Sequence, residues 1–175
     1  WNGIQTYSEN PDVLDKQWLV MGPWDHDSMS VHIADITPKT TIGKRDFGAN
    51  AINTYGETVT AFFDYFLKGE NNGFIDNKRI RYFNIGDDDW RETDEWPPAS
   101  SEVQPLYLSP NKMLSSNTPS QSSVSGYTYD PSKPITITEG TNIWSRSAQM
   151  RDRSVLLERD DVLVFETEAL EEDLE

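Results

Sequence analysis

Histidine is scarce in this chain: His26 and His32 are the only two among 175 residues. His26 closes the string Gly22-Pro23-Trp24-Asp25-His26, directly after the apolar run Trp18-Leu19-Val20-Met21. An imidazole titrates near neutrality, so it can take a proton and return it as a general acid/base. Open α/β sheets place such groups on loops at the carboxyl ends of their strands. A surface or capping histidine is the plainer reading of the same position. Asp25, Asp27, His32 and Asp35 offer a third, because imidazoles and carboxylates together can hold a divalent metal. Their spacing matches no metal signature such as HExxH. Asp87-Asp88-Asp89 raises the question of calcium, but it lacks the spaced acids of a calcium loop and reads as a solvated turn.

A nucleophile is missing. The chain has no cysteine and no GxSxG string for a nucleophile elbow. Many of its serines fall within residues 111–126, a Ser-, Asn- and Pro-rich stretch that reads as an exposed loop. No phosphate-binding glycine spacing is present, so no nucleotide or other cofactor is expected. On residues alone, this is half an active site.

The elements that would carry His26 can be read from patterning. Residues 1–7 suit the end of a helix, broken at Ser8-Glu9-Asn10-Pro11. Residues 17–21 carry the apolar run Trp18–Met21 without alternation, as in a strand buried on both faces of a parallel sheet. Residues 25–50 read as a long irregular loop. Ile52, Tyr55, Val59, Phe62, Phe63, Phe66 and Leu67 recur at helical spacing, with Lys68 in the last turn and Gly69 as the stop. Residues 70–78 read as a polar turn or linker. Beyond them, short strands are expected at residues 80–85, 106–108, 134–138 and 161–167, separated by turns, as in a β-sandwich or jelly roll.

Charge narrows the partners. There are 15 lysines and arginines against 30 aspartates and glutamates, a net charge of −15. So few cations disfavour nucleic acid and an anionic membrane surface. Six of the acids lie in residues 166–175, a solvated end or an acidic interaction tail. No apolar run approaches the roughly 20 residues of a membrane span. Residue 1 is Trp and no signal-peptide pattern follows it, so the natural start is expected further upstream. The lack of cysteine is compatible with bacterial cytoplasm, periplasm or secretion.

The motifs also carry a resemblance. "LVMGPWDH" resembles the histidine motif of the CocE/NonD serine hydrolases. That group contains cocaine esterase, α-amino-acid ester hydrolases, glutaryl-7-aminocephalosporanic acid acylases and X-Pro dipeptidyl-peptidases. "FFDYFLKGENNG", "RYFNIGDDDWRETDEWPPA", "PLYLS", "YTYDPSKPI" and "RDDVLVFETEAL" are similar to later family segments, in the same order. The resemblance implies a mixed architecture: the C-terminal piece of an α/β-hydrolase domain at 1–70, a linker at 71–78, and a partial jelly-roll β-sandwich at 79–175. It also implies a Ser-His-Asp triad in which His26 is the histidine and the serine and acid precede residue 1. Asp25 and Asp27 do not match the family's acid. The expected substrate is a small acyl ester, amide or peptide, the expected partner is the remainder of the same chain, and a homo-oligomer is allowed. The chain alone is expected to be inactive. Rival readings are a carbohydrate- or protein-binding jelly roll, and a structural or assembly domain.

Overall fold

The computed structural model describes residues 1–24, 40–42, 45–52, 54–135 and 153–171. The chain groups into two compact units, Trp1–Ser101 and a second that takes up from Glu102.

In the first unit, helix α1 (Asn2–Tyr7) ends at the expected breaker. The Asn10 side chain accepts from the Asp12 N–H and caps α2 (Pro11–Leu14), whose first residue, Pro11, has no N–H to leave unpaired. Strand β1 (Leu19–Met21) follows; it is shorter than the expected run and half-buried rather than buried on both faces, because among the described residues it pairs on one side only. Residues expected to form an irregular loop instead contain a small hairpin, β2 (Thr41–Ile42) with β3 (Arg45–Asp46), and a 3₁₀ turn at Ala49–Ala51. They also supply Phe47, only 2% exposed, and the next residue beyond them, Ala51, is 1% exposed. One aromatic in a polar stretch has no periodicity to announce it, so burial there is a tertiary outcome.

Helix α3 (Tyr55–Lys68) forms as its spacing predicts. Glu57 near its start and Lys68 at its end complement the helix dipole. Gly69 stops it at φ 72°, a conformation that favours glycine, and the N–H groups of Gly69 and Glu70 donate to the carbonyls of Tyr65 and Asp64. Phe62 and Phe66 pack on Trp18 at ring distances of 6.0 and 5.7 Å. Phe74 joins them, 4.9 Å from Trp18 and 5% exposed. The expected polar linker therefore contains a core residue, in a 3₁₀ turn at Phe74–Asp76.

Strand β4 (Ile80–Asn84) pairs in parallel with β1, Leu19 opposite Ile80. It also pairs antiparallel with β5 (Asp89–Thr93), Phe83 opposite Trp90. The sheet order is β1-β4-β5. The turn between β4 and β5 uses Gly86 at φ 135° and Asp88 at φ 52°. Asp87 accepts from Asn84 and Arg91, Asp88 from Arg45, and Asp89 from the Trp90 N–H. All three carboxylates thus organise the turn and its surroundings. Strand β5 went unread in the sequence because acids interrupt its apolar positions.

The second unit is thinly built. Strands β6 (Tyr107–Ser109) and β7 (Met113–Ser115) form a hairpin through Asn111 and Lys112, both at positive φ. Strand β7 lies where an open loop was expected. The strand expected at residues 161–167 does not form: the segment makes a single bridge, Glu166 with Met113. Arg159 instead closes the chain on itself, its Nε donating to Asp161 at 2.6 Å. Alternating Val and Leu make a strand only when a neighbouring backbone offers a ladder. The strand expected at 134–138 lies mostly outside the described residues. Among the described residues the buried core, Phe47, Ala51, Phe74, Ile80 and Phe83, lies entirely in the first unit.

Two outcomes follow. Phe74→Ala should lower unfolding free energy by about 3–5 kcal/mol, whereas Tyr127→Ala, at a ring 57% exposed, should stay within about 0.5 kcal/mol; urea titration measures both. The second concerns pH. Hydrogen bonds from Arg91 and Asn84 hold Asp87 below its usual range, as do Lys78 and the Arg79 N–H for Asp94 and Arg159 for Asp161. Lowered carboxylates stabilise the fold above the unfolded value of about 3.9, and that stability is lost as pH falls through the folded values. Asp64 raises Lys68 and Asp94 raises Lys78; their contribution is full below about 10.4 and disappears as pH rises past the folded values. Asp94→Asn should soften the acid side of the melting-temperature profile.

Candidate functional site

The carboxyl end of β1 leads into a short, tightly held turn. Met21 is the last strand residue, and Gly22-Pro23-Trp24 turns away at once. The Trp24 N–H donates to the Gly22 carbonyl at 2.9 Å, closing a three-residue turn. This folds the indole back over Gly22. A Cβ at position 22 would stand 2.5 Å from the indole ring. Glycine is needed there for space.

The indole is then fixed from two further directions. Its Nε1–H donates to the Ala51 carbonyl at 2.6 Å. Its ring meets Trp90 of β5 with centroids 5.5 Å apart and planes at 48°. Trp90 is pinned in the same manner, its Nε1–H donating to the Asn50 carbonyl at 2.8 Å. Two indoles from distant parts of the chain therefore grip consecutive carbonyls of one 3₁₀ turn. Behind them Trp90 meets Phe83 edge-on at 5.4 Å, and Phe83 meets Phe47 at 6.1 Å. Edge-to-face aromatic pairs add to stability beyond the area they bury. The Arg81 guanidinium lies 4.3 Å from the Trp90 ring centroid, and Arg45 lies 5.0 Å from Phe47.

Trp24 is the last described residue before the candidate general base. His26 lies outside the described residues, as do Asp25, Asp27, His32 and Asp35. Among the described residues, no group of three or more His, Cys, Asp or Glu could hold a metal ion. No helix among them is long and apolar enough to cross a membrane. Sequence reasoning missed the supports of Trp24: Gly22 as a space requirement, the carbonyls of residues 50 and 51, and Trp90. The available signal was the string Gly86…Trp90-Arg91, which marked a family pattern without saying what the tryptophan touches.

Residues 72–175 match the family described as the X-Pro dipeptidyl-peptidase C-terminal non-catalytic domain. The chain belongs to this family. Members of the wider CocE/NonD and X-Pro dipeptidyl-peptidase group are similar to it along nearly its whole length. Cocaine esterase of a Rhodococcus species (strain MB1 Bresler) is 31% identical over 185 aligned positions, covering 98% of this chain and 30% of the esterase. The crystal structure of an aminopeptidase from a marine sediment Thaumarchaeota archaeon superposes with a TM-score of 0.68 at 25% identity, covering 89% of this chain and 26% of that one. The chain thus spans less than a third of the length of either relative. The X-Pro dipeptidyl-peptidase C-terminal match begins at residue 72, so β4, β5 and Trp90 all lie inside it, while Trp24 lies before it.

Gly22→Ala tests the close approach. The added methyl should push the indole off the Ala51 carbonyl and cost about 1–3 kcal/mol. A red-shifted tryptophan emission and a lower melting temperature are the expected readouts.

Proposed function

We propose that this chain is part of a serine hydrolase that cleaves acyl ester or amide bonds, with His26 as its general acid/base. In this reading residues 1–70 are the closing part of an α/β-hydrolase domain. Residues 79–175 begin a jelly-roll β-sandwich, and 71–78 join the two. The first hairpin of the second domain, β4–β5, adds to the sheet edge that β1 presents. The observation carrying the reading is the anchored turn at the carboxyl end of β1, whose Trp24 stands two residues before His26. The similarity to an esterase and an aminopeptidase supports it.

The chemistry is acyl transfer. A serine hydroxyl, supplied by the remainder of the protein, is a weak nucleophile at neutral pH. His26 takes its proton as the oxygen attacks the substrate carbonyl, then gives that proton to the departing alcohol or amine. Water repeats the cycle on the acyl-serine: His26 takes a water proton, the hydroxide bonds to the acyl carbon, and the proton returns to serine. A carboxylate, also from the remainder of the protein, orients the imidazole. No cofactor enters any step. Substrates are small acyl esters, amides or peptides.

In the intact hydrolase, His26→Ala should lower kcat for p-nitrophenyl acetate about 10⁴-fold or more, while His32→Ala leaves it nearly unchanged. The isolated 175-residue chain should show no turnover. Wild-type kcat in the His26→Ala enzyme would refute the assignment. The description of the matched family as non-catalytic favours a second reading for residues 72–175, that of a binding module. Saturable binding on a glycan array, together with no hydrolase activity in the intact protein, would favour it.

A further inference from the structure

We propose that the small cavity at the amino ends of β1 and β4 is a binding site for a small oxyanion, a carboxylate or inorganic phosphate, held by Arg79 and Arg81.

The cavity measures about 100 Å³, and its lining includes Trp18, Phe74, Lys78, Arg79, Arg81 and Glu92. Strand register brings these groups together. The Leu19 N–H donates to the Arg79 carbonyl at 2.9 Å. Val20 stands opposite Arg81, which stands opposite Glu92. Alternation puts Arg79 on the same face as Arg81. Three cations and one carboxylate thus line one space, in a chain whose net charge is −15. Asp94, which does not line the cavity, engages Lys78. The two arginines therefore carry the site.

Both guanidiniums are held in place by aromatic rings. Arg79 lies 4.2 Å from the Trp18 ring centroid, and Arg81 lies 4.3 Å from that of Trp90. A guanidinium over a ring uses its face for the ring and keeps its N–H groups for partners in its own plane, where a carboxylate or phosphate can meet two at once. Trp18 is itself packed by Phe62, Phe66 and Phe74. One N–H of Arg79 donates to the Asp15 carbonyl, which steadies it further. Side chains ordered before a ligand arrives lose less freedom when it binds.

Glu92 shows the chemistry and its competitor. Its carboxylate reaches Arg81 by a single long contact, Nε to Oε1 at 3.8 Å, from a side chain 55% exposed. That contact is too long for the paired hydrogen bonds an arginine can give to an oxyanion. An oxyanion inside the cavity meets a wall with two guanidiniums. The space suffices for several waters, and so for a ligand of four or five heavy atoms. That size fits acetate or inorganic phosphate and leaves out nucleic acid.

The test is calorimetric titration of the full-length protein with sodium acetate and, separately, with inorganic phosphate, at constant ionic strength balanced by chloride. At least one of the two should saturate with a dissociation constant of about 0.1–10 mM, the range open to so small a ligand; which one does identifies the oxyanion. Arg79→Gln should weaken binding 10-fold or more, and Arg79→Lys, which keeps the charge without the fork, should fall between. Glu92→Gln removes the competing carboxylate and should tighten binding several-fold. Circular dichroism checks that each variant is folded. If Arg79→Gln does not fold, Glu92→Gln decides the matter, because its side chain is exposed: tighter binding supports the site, and unchanged or weaker binding overturns it. No saturation with either ion, or binding that folded Arg79→Gln leaves intact, would also overturn it.

Discussion

Strand β4 is the constraint on which the first unit depends. It is the middle strand of three, so its position sets both neighbours. Ile80 at its start is fully buried and stands opposite Leu19, which fixes the register of β1. A slip of one residue would send Phe83 and Arg81 to the other face and dismantle the stack with Trp90. From the same strand, alternation sends Tyr82 the other way, where it meets Trp96 edge-on at 5.2 Å. The apolar run at β1 therefore finds its place only because β4, far later in the chain, runs alongside it in parallel.

Aromatic rings take over where aliphatic core is scarce. The chain is 35% hydrophobic, with 6 Trp, 7 Tyr and 7 Phe. Around Trp18 they join α3 to the turn at Phe74, and around Trp90 they join β4, β5 and the turn at Ala49–Ala51. Each indole N–H of the second cluster meets a backbone carbonyl, so burying these rings leaves no donor without a partner there. Arginine planes cover Trp18, Trp90 and Phe47. Several of the described cations are thus placed on aromatic faces or beside carboxylates, where their stems add packing to the charge they carry.

Several features were legible in the amino-acid order alone. Helix α3 announced itself by apolar residues at helical spacing and a glycine stop, because helix periodicity is a local property. The start of β4 and the end of α1 were legible for the same reason. The strand expected at 161–167 shows the opposite case: its alternation is genuine, but alternation states only a willingness to pair, and there Arg159 and Asp161 make a turn. Phe47, Phe74 and Trp90 were invisible as supports because each stands among polar residues and acquires its role from partners distant in the chain. The string that ends in His26 was legible as a motif, and the contacts of Trp24 within it were not, for they are made with residues 51 and 90.

The sequence by itself determined the chemistry at issue: one histidine beyond an apolar run, no cysteine, no elbow serine, and motifs that place the chain in its family. These follow from residue identity and order, which need no folding to be read. Tertiary structure alone decided that a tryptophan at position 90 stands against a tryptophan at position 24, and that glycine is obligatory at position 22. Both are consequences of chain segments meeting in space, where steric exclusion and hydrogen-bond geometry act and sequence spacing carries no information.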